Sequence, residues 1–179
     1  VFPKLRQRML WNAKVWLAKR SASCITTVSN AARDELARYL HIDPGRIHVT
    51  LEAADPRFRP ETDPAIRAAM RDRLGLAPKA RLLAYVGGMA PHKNLARLID
   101  AFGLALASKS MSDVTLVLVG DPAGDGFHSN YAELQGRVKR DPQLQQRVRF
   151  TGFIEDDDLA TLYSDAWLVA LPSLSEGFG

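Results

Sequence analysis

The chain of 179 residues predicts an α/β protein with a doubly wound parallel sheet, and three observations carry that expectation. Short apolar runs recur, among them Leu82–Val86 (LLAYV), Val114–Val119 (VTLVLV) and Ala166–Leu171 (AWLVAL). The first two suit strands covered on both faces, and the third reads as the last strand. Between them, apolar residues return at helical spacing, as Leu95, Leu98, Ile99, Phe102 and Leu106 do. Strands that alternate with helices are joined by crossovers, which makes the sheet parallel. Glycine stands where several of these strands end, at 87 and 88, at 120 and at 152.

Taken in order, residues 5–20 predict a helix carrying Leu5, Met9, Trp16 and Leu17 with Lys14, Lys19 and Arg20. A basic helix of this kind suits either an ordinary domain surface or contact with a membrane. Cys24–Val28 is a β-branched run and predicts a strand. Ser29 then caps a helix through Leu40, with Leu36, Tyr39 and Leu40 facing inward. Asp43-Pro44-Gly45 is a turn signal, followed by a strand over Ile47–Leu51. Residues 52–63 carry two prolines and no clear period, and read as a crossing between domains. Asp63 caps the next helix, with Pro64 at its first position, Ile66, Met70 and Leu74 inward and Gly75 at its end.

The strand Leu82–Val86 leads into Gly87-Gly88, where backbone can turn sharply and a ligand can approach closely. Asn94 is the expected N-cap of the following helix. Lys93 stands just before that helix, at the end where the dipole already carries positive charge. An anion held there removes the conflict, which makes this a candidate phosphate site. After Val114–Val119, residues Gly120, Pro122, Gly124 and Gly126 predict a loop and Ser129–Arg140 a helix. Val148–Thr151 predicts a strand, Glu155–Asp165 a helix with Leu159, Leu162 and Tyr163 inward, and Ala166–Leu171 the last strand.

Composition sets bounds. An apolar share of 46% and a charged share of 25% fit an ordinary globular protein. The formal net charge is +4, spread over many segments, so no nucleic-acid stripe stands out and no nucleic-acid partner is assigned. The single cysteine, Cys24, excludes an intrachain disulfide and fits a reducing cytoplasm. No apolar run approaches the ~20 residues of a membrane helix. His41, His48 and His128 have no partners that suggest a triad or a metal set. There is no G-x-G-x-x-G, so no nicotinamide or flavin cofactor is expected. The chain starts at Val1 within a helical pattern and stops at Gly179 within a motif, which reads as part of a longer protein.

GGMAPHKN at 87–94, with the later SLSEGFG at 173–179, resembles the second domain of the retaining GT-B-fold glycosyltransferases. This large nucleotide-sugar-dependent group includes many bacterial mannosyltransferases, and TVSNAARDEL at 27–36 is similar to the end of its first domain. The resemblance implies a Rossmann-like second domain over 53–179, truncated, preceded by the tail of an acceptor domain over 1–52. It implies that Lys93 binds the donor diphosphate and that Glu176 contacts the donor sugar. Gly87, Gly88, His92 and Asn94 belong to the diphosphate turn. Gly177, Phe178 and Gly179 lie against sugar and diphosphate, and Gly152, Phe153 and Ile154 beside the base. A second glutamate, for the ribose, falls past Gly179. Two departures stand out: Met89, Ala90 and Pro91 offer no further cation, leaving His92, and Ala53-Ala54 replaces an asparagine-glycine pair.

Asp156 and Asp158 form a D-x-D, which in a different glycosyltransferase fold holds a metal. They also open a helix, where carboxylates suit the positive dipole end, and no metal ligand or cofactor is assigned. The expected partners are a GDP- or UDP-sugar and a saccharide or lipid-linked acceptor, in the cytoplasm and with peripheral contact at the inner membrane face. Residues 1–179 alone are expected to lack transferase activity and, through exposed apolar surface, either to form dimers or to have a poorly ordered C-terminal end. Two alternatives remain at this level: a nucleotide- or phosphate-binding module without chemistry, and a phosphorylase of related fold.

Overall fold

A computed structural model describes residues 5–121 and 129–177. Phe178, Gly179, His128 and the loop positions Pro122, Gly124 and Gly126 lie outside the described residues. The described chain divides into two compact units, one of residues up to Ala53 together with Gly177, the other Ala54–Glu176.

In the first unit, α1 (Leu5–Ser21) is followed by β1 (Ile25–Thr27), α2 (Asn30–Leu40) and β2 (Ile47–Val49). The two strands pair in parallel. Ser29 caps α2 as expected, its hydroxyl accepting from Ala32 N. Tyr39, expected inward, is 68% exposed. Apolar type alone misled here, because α2 meets only a two-stranded sheet, which covers a narrow stripe. α1 buries none of its residues.

The second unit holds a four-stranded parallel sheet in the order β5-β4-β3-β6. Its strands are β3 (Arg81–Val86), β4 (Val114–Val119), β5 (Val148–Gly152) and β6 (Ala166–Val169). The helices are α3 (Pro64–Arg73), α4 (Leu95–Ala105), α5 (Tyr131–Lys139), α6 (Pro142–Arg147) and α7 (Asp156–Asp165). Alternation along β3 and β4 separates two cores. Leu83, Tyr85, Leu116 and Leu118 pack with Leu95, Ile99 and Phe102 of α4 and with Leu134 and Val138 of α5. Leu82, Ala84, Val117 and Val119 pack with Met70 of α3 and Leu162 of α7. Helices thus cover both faces, which is why β4 is buried along its whole length and reads as an unbroken apolar run.

Helix α6 was not foreseen. Its Asp141-Pro142 start is a good signal, and the Asp141 carboxylate accepts from Gln143 N and Leu144 N, yet only Leu144 gives this short helix a buried anchor. Ile66, expected inward, is 43% exposed and lines a surface cleft of about 580 Å³ with Arg57, Arg59 and Asp157. Tyr163 is likewise only partly covered and meets the Phe58 ring edge-on. No described helix is long and apolar enough to cross a membrane.

Candidate nucleotide-sugar site at the sheet's switch point

The strand order places the site. The chain runs outward from β3 to β4 to β5, then returns to lay β6 on the other side of β3. Connections leaving β3 and β6 therefore part in opposite directions, opening a crevice at their carboxyl ends. Open α/β sheets bind ligands at such a switch point. Gly87–Asn94 leaves β3 there, and Pro172–Glu176 leaves β6 there.

Three contacts join these segments. Lys93 Nζ donates to Glu176 Oε1 at 2.8 Å. Leu174 N donates to His92 O at 2.8 Å. Asn94 Nδ2 donates to Pro172 O at 3.0 Å. Residues far apart in sequence are thus held as one corner. Lys93 and Glu176 are each partly open to solvent, at 22% and 24% side-chain exposure. The Lys93 ammonium holds the Glu176 carboxyl below its ordinary value. The nearby Ser173 hydroxyl and the His92 side chain push it the same way.

Asn94 corrects the expected capping. It does stand at the N-cap of α4, but its backbone is left-handed at φ 59° and its side chain makes no cap hydrogen bond. That side chain is committed to Pro172 instead. The first-turn amides of α4 therefore lack the side-chain acceptor that an N-cap normally supplies. A short turn over Pro91–Lys93 precedes the helix and sets Lys93 at its mouth.

The floor of the corner is close backbone packing. Gly87 has φ +147°, and a Cβ there would meet the Tyr85 hydroxyl at 2.9 Å. Tyr85 Oη donates to Gly88 O at 2.6 Å, pinning the turn from the core side. A Cβ on Gly120 would lie 2.2 Å from Gly87 O, so the ends of β3 and β4 approach as only glycine permits. Gly120 N also donates to Gly152 O, extending the floor to β5. Sequence reasoning placed Gly120 only at a strand end. Its signal, a glycine closing a buried strand beside another glycine-ended strand, becomes readable once pairing is known.

The other expected residues fall as follows. Gly152 turns with φ +74°. Phe153 is 68% exposed, while Ile154 is 8% exposed and spent on the α3–α7 core, so only its backbone can face a ligand. Gly177 is described with the first unit, where its carbonyl accepts from Ser29 Oγ at 2.6 Å. Asp156 and Asp158 bind arginines: Arg57 lies 2.6 Å from Asp156, and Arg73 pairs with Asp158. These pairs account for the acidic run as the fastening of α7. Among the described residues no group of three or more acids, histidines or cysteines is placed to hold a metal.

Residues 80–179 match the family described as group 1 glycosyl transferases. The chain belongs to that family. Among the relatives of these glycosyl transferases, a D-inositol 3-phosphate glycosyltransferase of Rhodococcus jostii is 34% identical over 82% of this chain and 31% of its own length. The corresponding Jonesia denitrificans enzyme is 31% identical over 99% of the chain and 41% of its own length. The chain thus spans well under half of the curated relatives it matches. The crystal structure of Anabaena Alr3699/HepE in complex with UDP and glucose superposes with a TM-score of 0.75 at 28% identity. That match covers 93% of this chain and 42% of the Anabaena chain.

Proposed function

We propose that the whole protein is a retaining GT-B glycosyltransferase and that Ala54–Glu176 forms most of its nucleotide-sugar-binding half. The observation that carries this reading is Lys93 and Glu176 meeting at the switch point, beside the uncapped first turn of α4. A donor diphosphate laid on that turn meets helix amides and one ammonium. Both stabilise the negative charge that grows on the leaving group. Glu176 then accepts from hydroxyls of the donor sugar, and a donor phosphate oxygen takes the acceptor proton.

The Anabaena neighbour was solved with UDP and glucose, which makes UDP-glucose the first donor to test. GDP-mannose is the second, resting on the GGMAPHKN resemblance. The D-inositol 3-phosphate in the related enzymes' name favours testing a small polar acceptor alongside a lipid-linked one. Five basic and no acidic residues on α1 support peripheral contact with anionic lipid from the cytoplasmic side. The deciding test is Lys93→Ala in the whole protein, with release of nucleoside diphosphate followed with and without acceptor. Turnover should fall by a factor on the order of 10². Unchanged turnover removes Lys93 from the chemistry, and donor binding without acceptor-dependent release makes the protein a binding module.

A further inference from the structure

We propose that Glu176 selects against bare diphosphate by holding Lys93 as its own counter-ion whenever no sugar is present. This rests on the diphosphate reading of Lys93 above.

In the structure the ammonium already has an anion. The Lys93–Glu176 pair is direct, at 2.8 Å, and partly withdrawn from water. The two segments are tied together: Asn94 and His92 join the lysine's turn to Pro172 and Leu174, four and two residues before Glu176. The carboxylate therefore starts close to the ammonium when a second anion arrives. A diphosphate that takes Lys93 must break the pair and then lie beside an orphaned carboxylate. That costs twice, through the lost partner and through like-charge repulsion.

A sugar attached to the diphosphate changes the balance, because its hydroxyls are donors that replace the lysine at Glu176. Sugar-bearing donor thus exchanges one satisfied arrangement for another. The spent nucleoside diphosphate, having lost the sugar, leaves Glu176 unsatisfied and is pushed out as Lys93 returns. Glu176 so serves donor selection and product release through its charge.

The test is calorimetric titration of the whole protein with inorganic pyrophosphate, which carries the shared charge without base or sugar. Glu176→Gln keeps the shape and removes the charge, and should bind pyrophosphate about tenfold more tightly than the unaltered protein. Glu176→Ala should shift the same way, which guards against a folding defect peculiar to one variant. Glu176→Asp keeps the charge and should stay within about twofold. Lys93→Ala should lose binding. If Lys93→Ala loses binding while Glu176→Gln and Glu176→Ala bind no more tightly than the parent, this inference is overturned and the lysine's role stands. If Lys93→Ala binds like the parent, both fall together.

Discussion

Two ion pairs in the same unit behave differently for physical reasons. Arg71 and Asp165 join α3 to the end of α7, with Nε to Oδ2 at 2.6 Å and side chains only 11% and 12% exposed. Arg71 also donates to Ala77 O and Ala80 O, so its guanidinium is anchored on three sides. Lys93 and Glu176 are about twice as exposed, and among the described residues the ammonium donates to a single carboxylate oxygen. The first pair uses the planar fork of arginine to lock a geometry. The second uses the mobile point charge of lysine, which can change partners. A cation with several fixed acceptors fastens a fold, whereas one with a single acceptor keeps the freedom to exchange it.

The largest expected effect breaks the fastening pair. Asp165→Ala leaves the Arg71 charge largely buried with only carbonyl partners, and should destabilise the unit by about 3 kcal/mol in chemical denaturation. A loss under ~1 kcal/mol would mean that the two pairs do not differ as described. Next comes Asn94→Ala, which removes the bond to Pro172 and puts a Cβ residue without a polar side chain at φ 59°. The two losses together should cost about 2 kcal/mol in the same assay, while Asn94→Gly should recover the conformational part. Recovery of the whole loss by glycine would show that the Pro172 contact adds nothing.

The smallest effect sharpens the site pair itself. Glu176 is held below its ordinary value in the folded protein, chiefly by Lys93. The folded state therefore binds that proton less readily than the unfolded state. Stability from the pair is present above the usual glutamate range near ~4.3, and is lost as pH falls through the lowered folded value. Comparing Glu176→Gln with the parent by thermal melting, the gap in melting temperature should be small at pH 7 and vanish toward pH 3. A gap that widens on acidification would reverse the assigned direction.

Sequence by itself determined a good deal here. The unbroken apolar runs of β3 and β4 announced a sheet covered on both faces, because such burial leaves no position for a polar residue. The period of Leu95, Ile99 and Phe102 located α4, and the conflict of Lys93 with a helix start singled out the turn that the structure joins to Glu176. Those signals are local, written within one or two turns of chain. What only tertiary structure decided is non-local. Asn94 looked like a cap and became a tether, since Pro172 O offered its side chain a partner across the crevice. Gly120 looked like a strand end and became a packing necessity, since Gly87 O lies where its Cβ would be. Tyr39 and Ile66 carried apolar side chains outward, because the surface they would have needed is not opposite them. The pairing of Lys93 with Glu176 followed from β6 returning beside β3, and strand order is set by the packing of every layer at once.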